Sequence, residues 1–134
     1  MEIRLDKKIL FVDDEIFMRK YWSKVLIEEG FEVFLAIDGQ NALEIAEKEV
    51  PDLIICDILL PGLDGIKLCE KIRKEEKLCN VPIILISGVF KDYEFRSRIS
   101  QGIADAFILK PIDKEEMLSK IWQLLRAKKK DNPK

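Results

Sequence analysis

LIICDILLPGLDG, residues 53–65, sets four consecutive apolar residues directly against a carboxylate, Asp57, and then resumes with apolar Ile58, Leu59 and Leu60. An apolar run without alternation suits a strand buried on both faces, the usual condition in a parallel sheet. An acid closing such a strand is either a turn former or a reactive group. The surrounding sequence decides between the two.

The same pattern recurs outward from this stretch. KILFV (8–12) runs into Asp13 and Asp14, and helical spacing over 15–29, carried by Trp22, Val25 and Leu26, stops at Gly30. FEVFLAI (31–37) alternates as a strand, Asp38 is placed to cap a helix through Ala42, Leu43, Ile45 and Ala46, and Pro51 precedes the strand at 53–56. Asp64 is placed to cap a third helix over 65–76, PIILIS (82–87) reads as a fourth buried strand, and a fourth helix is expected over 91–101, ending near Gly102. AFIL (106–109) is the last strand. Asp113 and Glu116 then have capping-box spacing ahead of a fifth helix whose Leu118, Ile121, Trp122 and Leu125 share one face.

Five strands alternating with five helices predict a single α/β domain, a doubly wound parallel sheet covered on both faces and joined by right-handed crossovers. No internal repeat or Pro/Gly/Ser linker divides it. The expected organisation is a short extension at 1–6, the domain at 7–126 and a basic, solvated tail, AKKKDNPK, at 127–134.

With 134 residues, 48% of them hydrophobic and 36% charged, the chain suits one core and not disorder. A net charge of −2 gives no general attraction to nucleic acid or anionic lipid. No apolar run approaches the roughly 18 residues of a membrane span, and residues 1–12 hold no cleavable apolar segment, so membrane insertion is not expected and a cytoplasmic protein is. Cys56, Cys69 and Cys79 are odd in number, form no CxxC pair and read as reduced structural thiols. Histidine is absent, which removes Ser-His-Asp triads, imidazole bases and His-rich zinc sites from this chain.

In an open α/β sheet, ligands bind beyond the carboxyl ends of the strands. Asp13 and Asp14 follow the first strand, Asp57 ends the third, Ser87 the fourth and Lys110 the fifth. Taken singly, these residues suit helix capping, turn formation, backbone satisfaction and a surface cation. Taken together, three carboxylates at one rim repel unless a cation lies between them, and carboxylate oxygen is what Mg²⁺ prefers. A carboxylate beside Mg²⁺ and an ammonium can attack phosphorus, because the cations neutralise the transferring oxygens. Asp57 is then the nucleophile, and the product is an aspartyl phosphate.

VDDE (12–15), LIICDILLPGLDG (53–65), LISG (85–88) and FILKP (107–111) together resemble the receiver domain of bacterial two-component response regulators, over nearly the whole chain from about residue 7 to residue 126. The resemblance implies a flavodoxin-like sheet of strand order 2-1-3-4-5. It implies Asp57 as phosphoacceptor, Asp14 as direct Mg²⁺ ligand, Asp13 holding the metal through water, and Leu59 lending its backbone carbonyl. Ser87 would bond the phosphoryl oxygen, Lys110 would ion-pair with it, and Phe107 occupies the aromatic switch position. It further implies a cis Lys110–Pro111 bond.

A partner histidine kinase or histidine phosphotransferase would supply the phosphoryl group. Catalysis would be limited to the chain's own phosphorylation and dephosphorylation. Output would pass by protein contact through the fourth helix, fifth strand and fifth helix to a downstream effector protein, without direct nucleic-acid binding. A receiver cut from a longer regulator is the alternative organisation. Leu59 and Val89 stand where many relatives carry polar residues, which bears on the lifetime of the phosphoryl group.

Two other functions share parts of this pattern. A haloacid-dehalogenase-type phosphatase also uses a strand-end Asp, a Ser/Thr, a Lys and Mg²⁺, but needs a second Asp two residues after the nucleophile, where this chain has Leu59. A flavodoxin-like FMN protein would want a phosphate-binding loop after the first strand, where this chain has the acidic DDE.

Overall fold

The computed structural model describes residues 7–88 and 102–131, with the side chains of 128–131 left aside. Its elements are β1 (Lys8–Val12), α1 (Ile16–Glu28), β2 (Glu32–Ala36), α2 (Gly39–Glu49), β3 (Leu53–Asp57), α3 (Gly65–Lys74), β4 (Ile83–Ser87), β5 (Ala106–Leu109) and α4 (Lys114–Asp131). The helix expected over 91–101 lies outside the described residues, as does Val89, so four of the five expected helices are described. The last of them continues to Asp131, into the stretch read as tail.

The strands form one parallel sheet in the order β2-β1-β3-β4-β5, with Phe11 opposite Ile55, Cys56 opposite Leu85, and Ser87 opposite Leu109. Because side chains alternate along a strand, each strand serves two cores. Leu10, Val12, Ile54, Cys56, Ile83 and Leu85 pack with Ala42 and Ala46 of α2 and with Ile66, Cys69 and Ile72 of α3. Ile9, Phe11, Ile55, Ile84, Ile86 and Ile108 pack on the other face with Trp22, Val25 and Leu26 of α1 and with Met117, Ile121 and Leu125 of α4. Full burial of each such aliphatic side chain contributes roughly 1.5–3 kcal/mol. This double coverage is why the strands read as continuous apolar runs.

The helix starts divide into two kinds. Asp38 accepts from the Asn41 amide, Asp64 from the Lys67 amide, and Asp113 from the Glu116 amide, so the capping acids expected for these three helices do cap them. Helix α1 has Glu15 as its N-cap residue without a side-chain cap bond; Asp13 accepts from the Glu15 amide just ahead of the helix and caps none of its first turn. At the far end of α2, Val50 takes φ 47°, a left-handed conformation that costs a β-branched residue energy. Pro51 follows and disfavours continuation of the helix.

Gly65 opens α3 directly on the chain beneath the site. A Cβ there would lie 2.6 Å from the Asp57 carbonyl oxygen and 2.8 Å from Ile58 Cα, closer than atoms can approach. Its amide also donates to the Ile58 carbonyl at 2.8 Å. Only glycine lets the helix begin this close to the strand end.

Candidate functional site

Asp57 is the last residue of β3 and is 4% exposed. Both its carboxylate oxygens are engaged: Lys110 Nζ donates to Oδ2 at 2.6 Å, and the Leu59 amide donates to Oδ1 at 3.0 Å. Lys110 follows β5 immediately, 53 residues away in sequence, and its own amide donates to the Ser87 carbonyl at 2.9 Å, which continues the β4–β5 ladder by one rung. Three strand ends thereby meet. Ser87 is fully buried at the end of β4. The Lys110–Pro111 bond is cis.

Asp13 lies at the neighbouring strand end and is buried. Its amide donates to the Ala36 carbonyl at 3.1 Å, its Oδ1 accepts from the Glu15 amide at 2.9 Å, and its own carbonyl accepts from Arg19 Nη1 at 2.8 Å. Oδ2 is buried with no hydrogen-bond partner. Burial is the main cause that raises the Asp13 pKa to about 6; the Glu15 amide opposes it, the Asp57 and Asp14 charges add to it, and Lys110 opposes it. Burial works against the Lys110 ammonium, but the hydrogen bond and charge of Asp57, with the charges of Asp13 and Glu15, outweigh it and raise the Lys110 pKa.

The structure thus brings Asp57 and Lys110 into contact and puts Asp13 within electrostatic reach of both. Asp14 is exposed beside Asp13. Leu59 is 57% exposed, with its amide turned toward Asp57. Phe107, in β5, is half-buried and packs against the α2/α3 core.

Among the described residues, no group of three or more His, Cys, Asp or Glu side chains is arranged as a ready-made metal cage. Two residues have a part in this rim that the sequence reading did not assign: Glu15, quoted there only within VDDE, through its amide and its charge, and Arg19. Their only signal was position, within a turn or so of the acid pair on the chain that becomes α1. Cys56 and Cys69 are buried free thiols whose pKa values are raised chiefly by burial, that of Cys69 to about 12, which keeps them unreactive.

A model of the response regulator receiver domain matches residues 9–122. The chain is 38% identical, over 99% of its length and 53% of the relative's, to a probable transcriptional regulator, ycf27, of Cyanophora paradoxa. It is 37% identical, over 91% of its length and 50% of the relative's, to the alkaline phosphatase synthesis transcriptional regulatory protein PhoP of Bacillus subtilis. The chain therefore spans about half the length of these curated relatives.

Among solved structures, a CheY-like response regulator receiver domain protein from Methanospirillum hungatei superposes with a TM-score of 0.89 at 30% identity, covering 96% of this chain and all of that one. The receiver domain of a sensor histidine kinase from Pseudomonas aeruginosa, solved with a magnesium ion coordinated in its active site cleft, superposes with a TM-score of 0.82 at 27% identity, over 90% of this chain and 98% of that one. With five parallel strands in the order found here and an acid–lysine pair at their carboxyl ends, the chain belongs to the response regulator receiver domain family.

Proposed function

We propose that Asp57 accepts a phosphoryl group from a phosphohistidine on a partner histidine kinase or histidine phosphotransferase, in a Mg²⁺-dependent reaction, and that the phosphorylated chain switches its contacts with a downstream effector protein. The observation that carries this reading is the 2.6 Å pair between Lys110 and the buried Asp57 at the meeting of three strand ends. A carboxylate held there against a cation, its other oxygen fixed by an amide, is oriented for in-line attack. An Asp57 oxygen bonds to phosphorus while the bond to the donor's imidazole nitrogen breaks, and the electron pair leaves with the imidazole. Lys110 and Ser87 then face the new phosphoryl oxygens.

The donors at the rim fit Mg²⁺. Asp13 offers a buried carboxylate oxygen without a partner, Asp14 an exposed carboxylate, and Leu59 a backbone carbonyl, all hard oxygen ligands. Mg²⁺ keeps several waters and takes one or two carboxylates together with substrate oxygens, so a complete protein cage is not required. When bound it would neutralise charge on the transferring group. Asp13, Asp14 and Asp57 would be its acid ligands, Asp13 acting through water.

Ser87 and Lys110 link the phosphoryl site to β4 and β5, and Phe107 lies in β5 packed against the α2/α3 core. The phosphoryl contacts would bias two arrangements of the segment read as the fourth helix, β5 and α4, and so expose or hide a partner surface. Chemistry on other substrates is not part of this reading. Leu59 sits where a phosphatase would need a proton carrier, so the chain would catalyse only its own phosphorylation and dephosphorylation. No described helix is long and apolar enough to cross a membrane. We place the activity in the cytoplasm, without direct nucleic-acid contact.

Incubation with acetyl phosphate and Mg²⁺ tests the proposal by intact-protein mass. One phosphoryl group per chain is expected, absent from Asp57→Asn and absent after chelation. Repeated turnover of the donor without a labelled chain, or a label that survives Asp57→Asn, would overturn it.

A further inference from the structure

Asp13 is held on nearly every side. Its amide is bonded to Ala36, Oδ1 to the Glu15 amide, and its carbonyl to Arg19, while only Oδ2, buried and unpartnered, remains open. The carbonyl that Arg19 holds at 2.8 Å belongs to the peptide unit joining Asp13 to Asp14. A peptide unit is planar, so holding its oxygen restrains ψ of Asp13 and φ of Asp14, the two backbone torsions on either side of it that aim the acids. Helix α1 has no side-chain cap, and none of the described hydrogen bonds is made by the Asp14 carboxylate. The half-buried Arg19 reaches back from the first turn of the helix to the β1–α1 turn, alongside the Asp13 carboxylate that accepts from the Glu15 amide.

We propose that Arg19 is a positioning residue for the cation site, setting the Asp13–Asp14 peptide so that both carboxylates face the Asp57 rim. This rests on the reading of the rim as a Mg²⁺ site. Two physical effects of Arg19 on a bound cation have opposite signs, and that separates them. As a charge near the acids, the guanidinium repels a cation, so its removal would tighten binding. As an orienting partner, its removal loosens the turn and weakens binding, as loss of an outer-shell hydrogen bond commonly does by about tenfold or more. The inference is that orientation outweighs charge.

The test is a Mg²⁺ titration of the full chain followed by amide NMR shifts, for the unsubstituted protein, Arg19→Met and Arg19→Lys, with thermal melts in the absence of metal. Arg19→Met is expected to weaken Mg²⁺ about tenfold. Arg19→Lys, which keeps the charge and one donor to the carbonyl, is expected to recover most of the loss. A melting temperature lowered in both variants alike, with unchanged affinity in the folded protein, would make Arg19 merely structural and overturn the proposal. Tighter binding in Arg19→Met would overturn it in favour of simple charge repulsion. The absence of any saturable shift in the unsubstituted protein would instead overturn the metal reading of the rim, and this inference with it.

Discussion

The two ends of the sheet are built to different rules. At the amino ends of the strands, Arg73 donates to the carbonyls of Ile103 at 3.1 Å, Cys79 at 3.2 Å and Val81 at 2.7 Å, and pairs with Asp105 at 2.9 Å. Asp105 also accepts from the Ile83 amide, and Asp52 accepts from the Lys8 amide at 2.7 Å. These polar groups satisfy one another. At the carboxyl ends, Asp13 is more deeply buried than the side chains of Arg73, Asp105 and Asp52 and still keeps one oxygen unpartnered. A buried carboxylate left short is destabilising, so that end retains an arrangement folding alone would not select. One end fastens the chain, and the other leaves a buried acid oxygen without a partner.

Arg73→Ala attacks the fastened end and should have the largest effect on stability. Three part-buried carbonyls lose their donor, and Asp105 loses its ion pair while keeping the Ile83 amide, at a cost of about 2–3 kcal/mol. Urea melts should show this with little change in Mg²⁺ affinity or phosphoryl uptake. A loss below about 0.5 kcal/mol, within the range of ordinary surface substitutions, would break the contrast between the ends.

Asp13→Asn attacks the other end and should act with the opposite sign. The Asp13 pKa is raised from 3.8 to about 6, so the folded state holds a proton that the unfolded state releases between those values. Stability contributed by the protonated form is complete below about pH 4 and is lost as pH rises through about 6. At pH 7, relieving that penalty should leave Asp13→Asn as stable as the unsubstituted protein, or more stable by on the order of 1–2 kcal/mol, with the gap closing at pH 4. Paired denaturant melts at the two pH values measure it. Added Mg²⁺ should stabilise the unsubstituted protein more than the variant. A variant that is less stable at pH 7 would show that Asp13 serves the fold.

Leu59→Asn should have the smallest effect. Its side chain projects outward and its amide hold on Asp57 is unaffected, so stability should change by less than about 0.5 kcal/mol. An amide side chain at the rim can orient a water that leucine excludes, and loss of the phosphoryl group should quicken, by about tenfold at most, when timed after the donor is removed. Unchanged decay would remove Leu59 from any role in the lifetime.

Much of the open end could be read from the sequence, because each of its residues closes a strand or follows one directly. The apolar runs before Asp13, Asp57, Ser87 and Lys110 announce those strands, and strand ends in a parallel sheet converge whatever the distance along the chain. The caps Asp38, Asp64 and Asp113 were legible because capping is local. The fastened end was not. Arg73 looks like one more basic residue at the end of a helix, and its partners Ile103 and Asp105 lie 30 and 32 residues on. No local pattern links them. The left-handed Val50 was hidden for a similar reason, since Pro51 signals only that the helix ends. Arg19 escaped because a backbone carbonyl, its partner, leaves no mark in sequence.

The close packing of Gly65 under Asp57 has a mechanical consequence. Strand β3 is flanked by β1 and β4 and backed at its end by the start of α3, so Asp57 has nowhere to recede. Its partner Lys110 directly follows β5, an edge strand with one neighbour, and its side chain is 32% exposed. When two bodies of unequal stiffness are pulled together, the softer one travels. Any tightening of the contact between Asp57 and Lys110 would therefore be taken up as displacement of β5, with Asp57 the anvil and the edge strand the moving arm.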